Sequence, residues 1–380
     1  MIQIITNAYK DEEHPYENGF IHSRVLEYKK NGMETEVFVL NPKKAKREYI
    51  FENVKVQVGD KNDLVNKLME EPNNTICVHF LSVEIISALE KIMDARNVVL
   101  FVHGVEALKW NERIFPGVFS NLKNITGFCK YIIYNTYMLR KIRKFIINSN
   151  HNFTFVTVSE WMRKKAEKNW KCKGKCEWKI IPNIVNSSFF EFREKSEEQV
   201  YQILSIRPFS TGKYANDLSV QCIEQLKKRE YFEKINFTII GKGALYNKIL
   251  KPLKELKNVQ LENRFLNRAE ILSYHQKNGL FLCPTRQDAQ GVSMCEAMSS
   301  GLVPITLYNT AIPEFLPDDR RLICKTVKDM TELVDRLLNN PQEFVELSKK
   351  CSDFIQKKCG FEATVKKEME LFKQFENTFE

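Results

Sequence analysis

Two carboxylates, Asp288 and Glu296, lie eight positions apart in a stretch that reads LFLCPTRQDAQGVSMCEAMSSGLVPITLYNTAIPEFL from Leu280 to Leu316. A strand pattern ends at Cys283, the first carboxylate lies in the polar loop that follows, and the second lies one turn inside the next helix. Gly291 lets backbone N–H groups approach a ligand at the helix N-terminus, where an anion is stabilised. Amides would suit a phosphate, and carboxylates would suit sugar hydroxyls. A capped helix with two solvated acids explains the same spacing equally well.

Two further segments of the second half offer groups for a phosphate. In ILSIRPFSTGKYAND, Arg207 and Lys213 follow a strand pattern, and in FTIIGKG the glycines Gly241 and Gly243 follow another. Two fixed cations neutralise a departing diphosphate without a metal ion. Taken alone, the cations are better explained as part of a surface loop, and a single Gly-x-Gly is weak evidence for a phosphate site.

The first half of the chain has fewer such residues. VVLFVHGVEAL ends a strand pattern at His103, and PYENGF carries Gly19 just before a helix pattern. A lone histidine at a strand end is more often structural than functional. Glu17 and Asn18 would contact a phosphate or an acceptor, or simply cap the helix that follows.

The elements that must position these residues alternate along the chain. Short runs rich in Val, Ile and Phe predict strands at Ile2–Ile5, Glu36–Leu40, Val54–Val58, Thr75–His79, Val98–Val102, Thr154–Val158, Tyr201–Ile206, Phe237–Ile240, Val259–Leu261, Leu280–Cys283 and Val303–Ile305. Helix patterns between them include Phe20–Lys30, Val83–Met93, Ala215–Arg229, Ala244–Leu256, Arg268–Gln276 and Val292–Ser300.

This alternation predicts an α/β protein built from two doubly wound, Rossmann-like domains with parallel sheets. We expect a first domain at residues 1–187, a linker at 188–199 and a second domain at 200–360, with a helical tail at about 361–380 that packs back on the first domain. Ligands bind beyond the carboxyl ends of parallel strands, and the cleft between two such domains is the natural site.

Several of these segments together carry a family resemblance. Asp288-x7-Glu296, followed by AMSSGLVPIT and by Pro313-Glu314, resembles the donor-site motif of glycosyltransferase family 4. That family has the GT-B fold and retains the anomeric configuration of the transferred sugar. Its motif usually begins with Glu, so Asp288 is a departure that shortens the side chain by one methylene. VTVSEWMRKK and IIPNIVNSSFF resemble the end of the family's first domain and its exit to the linker.

The resemblance implies a role for each matching residue. Glu296 would bind the nucleotide ribose, Asp288 the donor sugar ring, and Arg207 with Lys213 the donor diphosphate. His103 would lie near the outer hydroxyls of the donor sugar and the scissile bond. The remaining donor-binding positions would be Gly19, Gly241, Gly243, Gln290, Gly291 and Val292.

The resemblance also implies the reaction. The second domain would bind a nucleotide sugar, expected to be a UDP-sugar, and the first would bind a glycan, lipid-linked or protein-linked acceptor. The leaving phosphate would help to deprotonate the acceptor in a front-face transfer. The pathway would be cell-surface polysaccharide or glycoconjugate biosynthesis. We expect no cofactor and no metal ion, since no Asp-x-Asp element stands out.

Composition excludes several other classes of protein. The 380 residues are 43% hydrophobic and include 26 Phe, which rules out a mainly disordered chain. No apolar run approaches the ~18 residues of a spanning helix, and the N-terminus has no signal-peptide pattern. The ten cysteines are scattered, and Cys172 and Cys176 lack a second pair with zinc-like spacing, so we expect free thiols and a cytoplasmic protein.

The net charge of +10 is a local feature. Between Pro116 and Ile180 there are fourteen Lys or Arg against three acids, which points to an anionic partner. Within it, a basic helix pattern with aromatic residues spans Gly127–Ile147 and carries Arg140, Lys141, Arg143 and Lys144. Such a helix lies in a membrane interface, binds the acceptor, or packs on its own domain with its charges in water. The first interpretation places the protein at the inner face of the plasma membrane.

Three alternatives compete with an active transferase. A non-catalytic GT-B subunit of another glycosyltransferase would explain Asp288 and the single Gly19, but Arg207, Lys213 and Glu296 argue against it. A nucleic-acid-binding protein would explain the basic region, but no such motif appears and we expect no nucleic acid partner. A phosphorylase or epimerase of the same fold is nearer, although no lysine in a cofactor-binding context is recognisable.

Overall fold

The computed structural model describes residues 1–14, 17–119, 122–174 and 176–376. It divides the chain into two compact units. The first unit combines Met1–Ile114, Thr126–Ile184 and Phe361–Glu380. The second unit combines Phe115–Ile125 and Val185–Gly360.

An eight-stranded sheet forms the centre of the first unit. Its strands are β1 (Ile2–Thr6), β2 (Thr35–Leu40), β3 (Arg47–Phe51), β4 (Val54–Gly59), β5 (Thr75–His79), β6 (Asn97–Val102), β7 (Asn152–Thr157) and β8 (Glu177–Ile180), in the order β3-β4-β2-β1-β5-β6-β7-β8. Only β3 runs antiparallel to its neighbour. The central strands β1, β5 and β6 are buried along their whole length, because helices cover both faces of a parallel sheet.

The helices of the first unit include α1 (Gly19–Lys30), α2 (Lys61–Glu70), α3 (Val83–Leu89), α4 (Leu122–Asn148) and α5 (Glu160–Trp170). Side chains fix where several of them begin. The Asp60 carboxylate accepts from the backbone N–H of Asp63 to start α2, and the Ser82 and Ser159 hydroxyls do the same for α3 and α5.

Two strands of the first unit carry no strand pattern in the sequence and were not predicted. Strands β3 and β8 form the two edges of the sheet, and most of their residues are exposed or half-buried. An edge strand that buries little side-chain surface does not need a run rich in Val and Ile. REYIF and EWKI therefore read as polar segments, although each pairs along its length with a neighbour.

The second unit is built on a five-stranded, all-parallel sheet. Its strands are β9 (Gln202–Ile206), β10 (Asn236–Ile240), β11 (Val259–Glu262), β12 (Leu280–Leu282) and β13 (Val303–Ile305), in the order β11-β10-β9-β12-β13. Its helices are α6 (Asn216–Leu226), α7 (Tyr246–Ile249), α8 (Arg268–Lys277), α9 (Val292–Ser299), α10 (Val327–Asn339) and α11 (Pro341–Cys359). The strand order reverses between β9 and β12, which makes their carboxyl ends the expected ligand-binding position.

The structure corrects one helix prediction in this unit. The segment Ala244–Leu256 was expected to form one helix, but it forms only the four-residue α7 and a 3₁₀ turn at Lys251–Leu253. Pro252 lies inside the segment, lacks a backbone N–H and cannot continue an α-helix.

The polar segment expected to be a linker packs into the second unit. Phe190 is buried, and its carbonyl accepts from the Ser299 hydroxyl at 2.7 Å. Lys195 is also buried, and its ammonium donates to the carbonyl of His275 at 2.6 Å, near the end of α8. The segment 115–125, expected in the first domain, also groups with the second unit.

A helix that follows the second unit in the chain belongs to the first. Helix α12 (Val365–Glu376) inserts Val365, Met369 and other apolar residues into the core of that unit. Its Glu368 is fully buried and accepts from Arg24 Nε at 2.9 Å and from the Tyr28 hydroxyl. Arg24 also donates to Asn183 at 2.8 Å, so this buried ion pair is hydrogen-bonded on both sides.

Helix α4 packs one face on the first unit and exposes another. Met138, Ile142 and Phe145 are buried against the unit. Ile133, Tyr137 and Ile147 remain exposed by 73%, 54% and 47%. Within the described residues, no helix combines the length and the apolar character needed to cross a membrane.

Candidate functional site

The carboxyl ends of β9, β10 and β12 bring the predicted donor residues of the second unit together. Arg207 follows β9, Gly241 follows β10, and the loop with Asp288 follows β12. Arg207 and Asp288 act electrostatically on the same two groups, the Tyr214 hydroxyl and the Cys283 thiol. Residues that are far apart in the sequence thus face one another where the strand order reverses.

Arg207 is the most unusual group at this edge of the sheet. Its side chain is buried, with 5% of the residue exposed. Nη1 donates to the Ser293 hydroxyl at 3.1 Å, and the guanidinium lies 5.2 Å from the centre of the Tyr214 ring. Among the described residues, Nε and Nη2 have no hydrogen-bond partner although both are buried. Two unpaired N–H groups of a buried cation are costly in the folded protein and suit an anion.

Lys213 lies on the loop between β9 and α6, on the same aromatic ring. Its ammonium is 5.5 Å from the centre of Tyr214, the ring that Arg207 also contacts. Arg286 holds this loop, because its guanidinium donates to the Gly212 carbonyl at 2.8 Å and forms a bidentate pair with Asp217 at 2.8 and 2.6 Å. The backbone N–H of Arg286 also donates to the Lys213 carbonyl at 3.0 Å.

The two glycines after β10 are required by close packing of the backbone. A Cβ at Gly241 would lie 1.9 Å from the carbonyl oxygen of Arg207. A Cβ at Gly243 would lie 2.3 Å from the carbonyl carbon of Phe209, and its φ of +152° also favours glycine. The turn therefore presses on the segment that carries Arg207, which explains both glycines without a ligand.

Asp288 organises the loop that leads into α9. Its Oδ1 accepts from the backbone N–H of Gly291 at 2.9 Å and of Gln290 at 3.3 Å. Gly291 adopts a left-handed conformation with a φ of +80° directly before the first helical residue, Val292. The Gln290 side chain is buried and donates to Cys359 Sγ at 3.6 Å. Within the described part of the chain, no side chain caps α9, so its first N–H groups are available to another acceptor.

Glu296 is half-buried one turn inside α9. Burial raises the pKa of its carboxyl to about 7, and the nearby charge of Arg268 opposes that shift. Arg268 itself lies 4.7 Å from the ring centre of Phe189. Near neutral pH, Glu296 is therefore present in both protonation states, and hydroxyl donors from a ligand would favour the carboxylate.

In the first unit, His103 follows β6 and is held from two sides. Its Nε2 lies 2.9 Å from Nδ1 of the buried His79, on the end of the neighbouring strand β5. The backbone N–H groups of His103 and Gly104 donate to the two oxygens of Glu106 at 2.8 and 3.2 Å. Burial, with the charge of Arg24, lowers the pKa of His103 to about 3, so its ring is neutral at physiological pH.

Gly19 is the first residue of α1 and has no left-handed conformation. The left-handed position is Asn18, whose side chain donates to the Ala8 carbonyl at 2.9 Å. A Cβ at Gly19 would meet the Lys10 side chain at 3.4 Å, an ordinary contact. Pro15 and Tyr16 of the PYENGF segment lie outside the described residues.

The four basic residues of α4 lie near its C-terminal end. Lys141 pairs with Glu90 at 2.6 Å. Arg140, Arg143 and Lys144 are exposed and form no ion pair with the described residues. All four line an open groove of about 820 Å³, together with Leu89, Ile92, Tyr137, Phe145 and Ile147. The groove adjoins His151 and lies at the amino ends of the strands, the edge of the sheet opposite His103.

Sequence reasoning missed the residues that hold the candidate site in place. These are Ser293 and Tyr214 beside Arg207, Arg286 beside Lys213, Arg268 beside Glu296, and His79 with Glu106 beside His103. Glu106 and Tyr214 lie on the same loops as the residues they contact. The other four act from an element distant in sequence, so no local pattern marks them. Among the described residues, no group of three or more His, Cys, Asp or Glu side chains is placed to hold a metal ion.

Comparisons with known proteins bear on the fold of the chain and on the family of its second unit. Residues 187–358 match the family model of glycosyl transferases group 1. Over 98% of this chain and 99% of the other, the fold resembles sucrose-phosphate synthase from Thermosynechococcus elongatus, with a TM-score of 0.71 and 11% identity. An α,α-trehalose-phosphate synthase (UDP-forming) from Burkholderia vietnamiensis aligns over 99% and 97%, with a TM-score of 0.69 and 9% identity.

A third solved structure extends the comparison. The catalytic domain of starch synthase IV from Arabidopsis thaliana, bound to ADP and acarbose, aligns over 99% of both chains with a TM-score of 0.64 and 11% identity. No protein of curated function matches the chain at a significant level of sequence similarity.

The chain has the GT-B fold. Its second unit matches the model of glycosyl transferases group 1 over residues 187–358. The predicted α/β fold class is thereby confirmed, and the match of the second unit supports the predicted glycosyltransferase class.

Proposed function

We propose that the chain transfers a sugar from a nucleotide-sugar donor to a glycan, lipid-linked or protein-linked acceptor and retains the anomeric configuration. The observation that carries this proposal is the buried Arg207 at the reversal point of the second sheet, with two N–H groups that lack a partner among the described residues. A nucleoside diphosphate provides the phosphate oxygens that these N–H groups need.

The other groups at this edge suit the rest of a donor. Lys213 adds a second cation on the Tyr214 ring, and the uncapped N-terminus of α9 favours negative charge. Glu296 would accept hydrogen bonds from the vicinal hydroxyls of the ribose. Asp288 uses Oδ1 to hold the loop, and its second carboxylate oxygen would contact the donor sugar.

The leaving group supports the proposed chemistry. Departure of the nucleoside diphosphate adds one negative charge to a group that already carries two, and fixed cations stabilise such charge as it develops. In a front-face transfer, the bond from the anomeric carbon to the diphosphate breaks, the acceptor oxygen bonds to that carbon on the same face, and a phosphate oxygen takes the proton of the acceptor hydroxyl. Neither step requires a metal ion, so we expect activity to survive a chelator.

We propose uridine as the donor nucleoside. A structural relative is described as UDP-forming, whereas another is bound to ADP, so adenosine is the first competitor to test. We place the reaction in the biosynthesis of cell-surface polysaccharide or another glycoconjugate.

We also propose that α4 meets an anionic membrane. Its exposed stripe alternates apolar side chains, Ile133, Tyr137 and Ile147, with the cations Arg140 and Lys144. Aromatic and aliphatic residues between cations are typical of a helix that lies in a bilayer interface. The protein would then bind a lipid-linked acceptor at the membrane surface that holds this acceptor.

A donor screen tests the function directly. The purified protein is incubated with uridine, guanosine, adenosine and cytidine diphosphate sugars, and both the release of nucleotide and the thermal midpoint are recorded. We expect one nucleotide to raise the midpoint, since a ligand at 100 times its Kd adds about 2.7 kcal/mol. The R207M variant, which lacks the guanidinium, should show no such rise. If no nucleotide shifts the midpoint of the wild type, the result contradicts the donor site and favours a non-catalytic subunit.

A further inference from the structure

A chain of three side chains leads from the interior of the first unit to its surface at His103. Cys77 and His79 lie two positions apart on β5, and His79 Nε2 is 3.6 Å from Cys77 Sγ. His79 Nδ1 is 2.9 Å from His103 Nε2. Cys77 and His79 are fully buried, whereas His103 is half-exposed at the end of β6.

Neighbouring aromatic side chains hold the imidazole rings of His79 and His103 in place. The His79 ring stacks on Phe101 with centres 4.4 Å apart, and the His79 and His103 rings are within 15° of parallel. Phe20 and Phe80 contact His103, at 4.9 and 4.6 Å between ring centres. Because these contacts hold the His79 ring, the hydrogen bond from His79 fixes the orientation of the His103 ring.

The direction of donation along this chain follows from the protonation of its ends. Burial raises the pKa of Cys77, so its thiol keeps its proton, and burial lowers the pKa of His79 well below its usual value. A thiol is a weak donor and a weak acceptor, whereas a bare imidazole nitrogen accepts well. Cys77 therefore donates to His79 Nε2, and the single ring proton of His79 lies on Nδ1.

We propose that His79 is a positioning residue, which donates from Nδ1 to His103 Nε2 and so fixes His103 as the neutral tautomer with its proton on Nδ1. His103 Nδ1 forms no hydrogen bond with the described residues. It would present one donor, of fixed direction, to a hydroxyl or ring oxygen of the sugar. The importance of this for transfer rests on the proposed function, whereas the tautomer itself does not.

The tautomer is tested by NMR, without any substrate. The chain has six histidines, and in protein labelled with ¹⁵N-histidine the protonated and bare ring nitrogens resonate far apart. The H103Q variant assigns the resonances of His103. We expect a protonated Nδ1 and a bare Nε2 at neutral pH. A proton on Nε2 would show that His103 donates to His79 and would overturn the inference.

Two substitutions separate positioning from packing. H79N keeps an N–H donor at the position of Nδ1, so it should preserve the tautomer, whereas H79L removes the donor and should give a mixture of tautomers. H151L is a matched control, because His151 is another buried histidine of this unit and bonds to the Leu89 carbonyl at 3.1 Å, away from His103. It should leave the His103 spectrum unchanged, whatever it does to the thermal midpoint.

Activity with the donor found in the screen completes the test. Loss of one oriented neutral hydrogen bond should lower kcat about tenfold in H79L with little change in the KM of the donor, and H79N should recover most of that loss. A single unchanged tautomer in H79L, or wild-type turnover in that variant, would refute the positioning role. If the wild type releases no nucleotide from any donor, the proposed function fails, and the spectra alone still decide which ring nitrogen carries the proton.

Discussion

Replacing Arg207 with Met tests whether the second unit is built to bind an anion. The substitution removes a buried cation whose Nε and Nη2 lack partners among the described residues. Each unsatisfied donor costs about 1–3 kcal/mol, so removal of the two returns about 2–6 kcal/mol. The substitution also loses the bond to Ser293, about 1.5–3 kcal/mol, and the contact with the Tyr214 ring, about 0.5–2 kcal/mol.

These contributions nearly cancel, so the thermal midpoint of the unliganded R207M variant should stay within a few degrees of the wild type. This differs from the loss of about 3–5 kcal/mol expected when one partner of a well-paired buried charge is removed. Nucleotide binding should change far more. Losing two charge-assisted hydrogen bonds of about 1.5–3 kcal/mol each should weaken binding at least a hundredfold.

Titration calorimetry with UDP and thermal unfolding of the same samples give both quantities. R207K provides the comparison, because it keeps the charge but loses the planar fork, and it should bind with intermediate affinity. A large loss of stability in R207M, together with an unchanged affinity for the nucleotide that binds the wild type, would show that Arg207 only supports the fold.

The remaining predictions concern three other parts of the chain. Because the pKa of Glu296 is raised in the folded state, the stability of the wild type should fall as pH rises from about 4.5 to 7. The E296Q variant should therefore unfold at a higher temperature than the wild type at pH 8 and lose that advantage by pH 5. It should also transfer little sugar. E368A should lower the free energy of unfolding by about 3–5 kcal/mol, since it leaves Arg24 buried without its carboxylate. As a control, E362A breaks an exposed ion pair on the same segment and should lower that free energy by less than about 0.5 kcal/mol. Urea unfolding measures both. Neutralising Arg140, Arg143 and Lys144 of α4 should weaken binding to vesicles with anionic lipid by about 1 kcal/mol per charge at low salt, and by less at high salt. A sedimentation assay measures this binding. The control variant neutralises three exposed lysines elsewhere, Lys164, Lys328 and Lys349.

The fold was predictable where burial dictated the residue type. The central strands of both sheets are enclosed by helices, and their Val- and Ile-rich runs were recognised within a residue or two. The edge strands β3 and β8 were not, because little of their surface is buried. The proposed linker was misjudged for the opposite reason, since a charged sequence conceals Phe190 and Lys195, which fit into the second unit.

The candidate site was predictable to the extent that it follows the chain. Arg207 directly follows β9 and Asp288 lies on the loop after β12, so the topology alone brings them to one edge of the sheet. The support that Ser293, Arg286 and His79 give to these groups depends on contacts between segments distant in sequence, and a single sequence does not contain that information. The roles of the predicted residues in binding and transfer stay predictions until a donor is identified.

The return of α12 to the first unit constrains how the protein can be made. Met1–Ile184 contains every strand of that unit but lacks the helix whose Glu368 neutralises Arg24 and whose Phe372 fills the core. During translation, this segment must wait with an unfinished core until the whole second unit has left the ribosome. A fragment cut at Ile184 should therefore aggregate, whereas a circular permutant that joins α12 to Met1 through a flexible tether would place the first unit in one stretch that only residues 115–125 interrupt.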